Sequence, residues 1–457
     1  MTLTVVDALL IPVADGGPAW LRGWLSVGDD GRITGIGPGE PPVLSGDVLD
    51  AGGAIVAPGF VSAHSHLFTS GFRGIAPDAT LYPWVRAMME VMAHTGADDV
   101  YWATVHGACD FLANGVTSAY NFLQSRVIWL FDGARNVAAA VNPPEYAVRQ
   151  CVAAADAGLR VVNAFRLDEE AQSDDETLGV FAELAAASAD VVPTAQHLGV
   201  SVMGAVQWAA SPRTARLEVA AMDAHGVGNQ AHFVETAESV AEQQAKFAWY
   251  RDAGALRPEF VFGHFVHPTG EMVDTAAAAG CAMAWQATSN GRLGSGVADV
   301  VRLRGAGMRV GLGLDDQACT DISDPFANMR TGLYAMRALH HDAAGLRPAD
   351  VLRMHTLGAA EVLGVADRVG SLEVGKHADL VVVDHRDPTT GPVWDVVATY
   401  VLACGLRNLK AVYVGGRPVA REGRCLGPLQ ARADAELHER IPRAAAAAGR
   451  ALPPLVP

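Results

Sequence analysis

Between about residue 58 and residue 365 the chain alternates short apolar runs with Ala-rich stretches of helix length, and no other feature constrains its fold as tightly. Residues 259–263 are followed by 269–279, then by 281–285 and 297–305, in the same rhythm. Strands joined by helix-length connections run parallel, so the pattern predicts βα units around a parallel sheet. Such a sheet closed on itself is a (β/α)8 TIM barrel, which about 250 residues or more suffice to build. Segments 3–12, 21–27 and 33–36 instead read as short strands broken by Gly, Asp and Pro, and β character returns in 378–383 and 410–414. The α/β chain is therefore expected to hold a barrel over 58–365 and a small β-sandwich built from both ends, 1–57 with 366–427. Residues 428–457 remain as a tail with a helix in its middle.

Composition narrows the function classes. Half of the 457 residues are hydrophobic, as in a compact enzyme rather than a disordered chain. A net charge of −16, with Lys246, Lys376 and Lys410 as the only lysines, opposes a nucleic-acid partner, which would be bound mainly by cations neutralising phosphates. The six cysteines show no CxxC spacing, so reduced thiols in a cytoplasm are expected rather than a disulfide framework. Residues 5–13 are interrupted by Asp7 and Pro12 and read as a strand, so neither a signal peptide nor a membrane span is expected.

Chemistry gathers at the ends of the apolar runs. His64 and His66 close the run that begins at Ala57, and residues two apart on a strand face one side, so both imidazoles can meet one metal ion. Asn229-Gln-Ala-His-Phe-Val-Glu-Thr supplies His232 and Glu235, Phe260-Val-Phe-Gly-His supplies His264, and Arg309-Val-Gly-Leu-Gly-Leu-Asp supplies Asp315. Taken singly, each has an ordinary structural reading as a capping residue, a turn or a hydrogen-bonded core histidine. Four segments in the same relation to strand ends describe a barrel active site. His64, His66, His232 and Asp315 are the expected metal ligands, three imidazoles and a carboxylate with a position left open. Such an ion brings the pKa of bound water down towards about 7. Glu235 is placed to protonate a ring or leaving nitrogen, and Asp315 and His264 to accept the proton of the attacking water.

Pro58-Gly-Phe-Val-Ser-Ala-His-Ser-His, with Arg73-Gly74 and Trp84 downstream, resembles the opening of amidohydrolase-superfamily proteins of the triazine hydrolase and adenosine-type deaminase group. His232 to Thr236 is similar to that group's HxxET, and Gly263-His-Phe-Val-His to its strand-six histidine. Thr288-Ser-Asn-Gly-Arg-Leu-Gly-Ser-Gly and the run ending at Asp315 resemble later motifs, and Gly370-Ser-Leu-Glu-Val-Gly-Lys resembles the β region after the barrel. The resemblance spans nearly the whole chain. It implies one divalent metal ion per chain, usually zinc with iron or manganese as alternatives, and deamination of a nitrogen heterocycle. A two-metal site would need a carbamylated lysine on strand four, yet no lysine precedes Lys246. A homo-oligomer, dimer or tetramer, is expected.

Substrate contacts are read from the same frame. His197 stands where the group often carries a substrate-contacting histidine, Arg73 is a candidate grip for an acidic or carbonyl group, and Phe68, Phe72, Tyr82 and Trp84 are candidates for an aromatic lid. Adenosine-type members hold the ribose with a glutamate nine residues beyond the tryptophan, a position filled here by Ala93, with Glu90 one turn earlier. Asp316 and Gln317 replace the usual glycine segment after the strand-eight ligand. Hydrolysis of a ring amide, or a barrel that has lost its metal, are the competing readings, and the second predicts gaps in a ligand set that is complete.

Overall fold

The computed structural model describes residues 2–132, 135–388, 390–450 and 452. Eight parallel strands succeed one another in sequence order: β1 (Phe60–His66), β2 (Val116–Phe122), β3 (Arg160–Arg166), β4 (His197–Gly204), β5 (Gly228–Phe233), β6 (Phe260–His264), β7 (Ala282–Trp285) and β8 (Arg309–Leu312). Just past β8, Asp315–Asp316 pairs in parallel with Ser65 and His66 of β1, so the sheet closes on itself. The strands are buried nearly throughout because helices cover one face and barrel-filling side chains the other. Strict alternation is broken after β2 by an antiparallel hairpin, Val127–Asp132 with Arg135–Val141, which the sequence rhythm did not announce.

Both ends of the chain enter a second sheet of nine strands, in which Ile55–Pro58 pairs antiparallel with Leu380–Val383. Period-two alternation joins this sheet to the barrel. Val56, Leu380 and Val382 point into the core of the terminal sheet, while Ile55, Ala57, Val381 and Val383 belong to the main core. Gly59 makes the turn from one sheet to the other, where a Cβ would stand 2.2 Å from the Thr117 hydroxyl. The tail folds as a helix, Leu429–Ala447, whose Leu437 and Ile441 pack with Trp84 and Met88 and whose Arg440 and Arg443 reach Asp99. Residues 451 and 453–457 of the expected tail lie outside the described residues.

A buried ion pair ties the two sheets. Arg160, which opens β3, donates from Nε and Nη2 to the two carboxylate oxygens of Asp379 at 2.7 and 2.9 Å, and Asp379 also accepts from the backbone of Gly415. Removing one partner leaves the other charge buried and unpaired. Asp379→Ala is therefore expected to cost about 3–5 kcal/mol, read as a lower urea midpoint at unchanged slope.

Candidate active site

The candidate metal ligands and acid–base groups lie at the C-terminal ends of the barrel strands or just beyond. His64 and His66 end β1 on one face, and His232 and His264 come from β5 and β6. Asp315 sits where the chain leaves β8 to close against β1. Close approach is built in, since a Cβ on Gly313 would fall 2.7 Å from the His64 Cβ. Val234, His264, Phe265 and Asp315 all hold positive φ, between 45° and 66°. Non-glycine residues pay about 1–3 kcal/mol each for that conformation, a strain that gathers at functional sites.

The side chains converge. His66 Nε2 is 3.3 Å from His64 Nε2 and 3.0 Å from His232 Nε2, and Asp315 Oδ1 lies 3.3 Å from His64 Nε2. His64 Nδ1 is 2.5 Å from Gln230 Oε1, so its single N–H is spent there and the lone pair of Nε2 faces the cluster. Burial, and then the proximity of the His64 ring, holds His66 down to about 3, and His232 is likewise well below the ordinary histidine range. Neutral ring nitrogens aimed at one another beside a carboxylate have too few protons to satisfy each other. A divalent cation fits this donor set.

Two further groups flank it. Burial, then the charges of Asp315 and Asp316, pushes the Glu235 carboxyl well above the usual carboxylate range, which favours its protonated form. Its Oε2 is buried with no partner in the protein. His264 Nδ1 accepts from Asn290 Nδ2 at 2.9 Å, which assigns the ring proton to Nε2, 3.8 Å from Asp315 Oδ2. Burial alone would raise Asp315, but the surrounding imidazoles outweigh it and keep the carboxylate charged.

A cavity of about 450 Å3 opens over this cluster, and His66, His232, Glu235, His264, Asp315, Phe68 and Trp84 all line it. Four expected substrate contacts lie elsewhere. His197 opens β4 instead of following it, because the turn 193–196 precedes the strand, and seven residue steps put it roughly 23 Å from the site end. Arg73 is held by Asp110 at 2.8 Å. Phe72 packs in the cluster that includes the tail helix, and Tyr82 is absent from the cavity wall. Of the two residues after Asp315, Asp316 faces the cavity, while Gln317 turns away to Gly107, Asp110 and Ser323.

Sequence reasoning missed Gln230, Asn290 and Trp208. Gln230 was legible, being two residues before His232 on one strand and thus on its face. Asn290 lies within a quoted motif but had no assigned role. Trp208 follows β4 and packs its ring 5.3 Å from that of His232, and no spacing in the sequence points to it.

A family model described as amidohydrolase family matches residues 55–419. The chain is similar to a 5-methylthioadenosine/S-adenosylhomocysteine deaminase of Desulforudis audaxviator, 30% identical over 93% of this chain and 95% of the relative. A protein of the same description from Symbiobacterium thermophilum is 28% identical over 91% and 93%. Among solved structures, an adenosine deaminase from Xanthomonas campestris with bound zinc superposes with a TM-score of 0.83 at 23% identity, covering 97% and 98% of the two chains. An atrazine chlorohydrolase from Arthrobacter aurescens TC1 complexed with zinc does so with 0.82 at 21%, covering 96% and 100%.

Proposed function

Because the chain belongs to the amidohydrolase family, and so to hydrolases acting on C–N bonds other than peptide bonds, we propose that it is a metal-dependent aminohydrolase that deaminates a nitrogen heterocycle. One observation carries the reading. Three imidazoles, a carboxylate and a glutamic acid whose carboxyl is pushed above the usual range share one buried end of a single cavity. The curated relatives are described as deaminases of adenine nucleosides, which supports an aminated purine-like ring at this end.

His64, His66, His232 and Asp315 are the proposed ligands of one divalent ion, with zinc favoured by imidazole donors. When bound, such an ion supplies a water acidic enough to act as a nucleophile near neutrality. Glu235 gives its proton to the ring nitrogen, making the adjacent carbon electrophilic. Asp315 takes the proton of the water as its oxygen bonds to that carbon, and the His264 Nε2–H faces the same space as a hydrogen-bond donor. The bond to the exocyclic amine then breaks, and the amine leaves as ammonia with a proton returned by these acids. Gln230 and Asn290 are positioning residues, fixing the orientations of His64 and His264.

Metal analysis of the purified protein, followed by ammonia release from aminopurines, aminopyrimidines, pterins and aminotriazines, tests the reading. One ion per chain with ammonia from one ring class is the expected result. Bound metal without ammonia from any ring would move the assignment to ring-amide hydrolysis, and a folded protein that takes up no metal would end the catalytic reading. We further assign the protein to the cytoplasm as a homo-oligomer. All six cysteines are free thiols, in keeping with a reducing compartment, and no helix among the described residues is long and apolar enough to cross a membrane.

A further inference from the structure

The cavity extends well past the cluster of acids and imidazoles, and its walls differ in chemistry. One wall is a helix, α1 (Leu81–Met92), that turns Leu81, Trp84, Val85, Met88 and Met89 towards the cavity. These positions follow i, i+3, i+4, i+7, i+8, one face of a helix. The face offers no free hydrogen-bonding group, because the only strong donor on it, the Trp84 indole N–H, is spent on the Ala318 carbonyl at 3.1 Å. Ala93 stands at the C-terminal cap of α1, and Glu90 is committed to Arg86 and Arg450. Met203 and Trp208, from β4 and the loop after it, continue the apolar lining up to the ring of His232.

Polar side chains gather instead around the loops after β2, β3 and β4; those after β3 and β4 are largely spent on paired contacts, while Gln124 Nε2, after β2, approaches Met89 Sδ at 3.6 Å. Arg166 pairs with Glu170, Glu169 Oε1 accepts from Thr214 at 2.7 Å, and Arg213 binds Asp174. Arg166 Nη1 and Glu169 Oε2 stay buried without partners. A ribose brings several hydroxyls, and each one buried against hydrocarbon without a partner costs about 1–3 kcal/mol. Hydrocarbon, thioether and indole surface instead favours an apolar arm.

We propose that the substrate is an aminated heteroaromatic ring carrying an uncharged aryl or alkyl arm, seated against the α1 face and Trp208, in place of a ribosyl group. The proposal rests on the deaminase reading for the ring and assigns the remainder of the molecule. Met88, Met89 and Trp208 are its specificity-determining residues.

Matched pairs of ligands test it on the zinc-loaded protein. Adenine bearing benzyl or ribosyl at N9, and diaminotriazine bearing N-butyl or N-hydroxyethyl, are compared by isothermal titration calorimetry and by ammonia release. The apolar member of a pair is expected to bind about tenfold or more tightly than its hydroxylated partner. The double variant M88Q/M89Q should close that gap by weakening the apolar member alone, and Glu169→Gln should leave the gap open. Equal or tighter binding of the hydroxylated member in both pairs, or no binding by any of the four, overturns the proposal. So does a ribosyl affinity that collapses in Glu169→Gln, since the sugar would then have a partner. Ammonia release without apolar preference retires the arm and keeps the deaminase reading. Apolar preference in binding with no ammonia from any ring does the reverse.

Discussion

Glu235→Gln is expected to lower kcat by about two to four orders of magnitude while metal content and thermal midpoint stay close to those of the parent protein. Glu235 has lost its water shell inside the barrel, and Asp315 and Asp316 add negative charge nearby, so its carboxyl holds its proton to higher pH than an ordinary carboxylate. That proton is what an aminated ring needs before a weak nucleophile can add to it. Glutamine keeps the shape and one hydrogen-bond donor but gives up no proton, so the loss should fall on kcat more than on KM. The sign with pH follows from the raised value. The parent enzyme should lose activity on the alkaline side, as Glu235 ionises, and the variant should lack that limb. A variant with near-parental kcat would remove Glu235 from the proton pathway.

Loss of metal is the second large effect. His64→Ala deletes a ring whose Nε2 lies within 3.3 Å of both His66 Nε2 and Asp315 Oδ1, and strands the Gln230 amide that orients it. The variant is expected to retain far less than one metal ion per chain after dialysis and to release ammonia at background level. Metal that binds only the folded state stabilises it, by about 2.7 kcal/mol at a free concentration one hundred times Kd. A chelator should therefore lower the thermal midpoint of the parent protein and leave that of His64→Ala nearly unmoved. A variant that keeps stoichiometric metal would take His64 out of the ligand set. Near-ultraviolet circular dichroism separates either result from a misfolded core.

Strand and helix rhythm, the closing role of the two chain ends and the ring of candidate ligands were all legible in the sequence. These features are local or repetitive. An HxH at a strand end fixes two imidazoles on one face through the period of two, and an apolar run followed by a helical stretch dictates a parallel neighbour. The same logic gives His232, His264 and Asp315, each set at or just past the end of its own strand. Register was not legible to that precision everywhere. His197 was read as a substrate contact because the resemblance puts a histidine of the group at that point, but the strand starts there and delivers its far end, with Met203 and then Trp208, to the cavity.

What only tertiary structure decided was which groups share a space and what their surroundings do to them. Arg73 could grip a ligand or pair with a carboxylate, and in the folded chain it lies against Asp110, 37 residues away. The hairpin after β2 brings Trp129 to the cavity from a segment outside the barrel rhythm. No residue type or spacing states that the Glu235 carboxyl is pushed above the usual carboxylate range, because that depends on lost solvent and on two aspartates contributed by another strand end. The sequence determined the barrel and the donor atoms through short-range periodicity. Burial and the packing of distant segments determined their charge states, orientations and the apolar wall beside them, since desolvation and contact exist only once the chain has closed on itself.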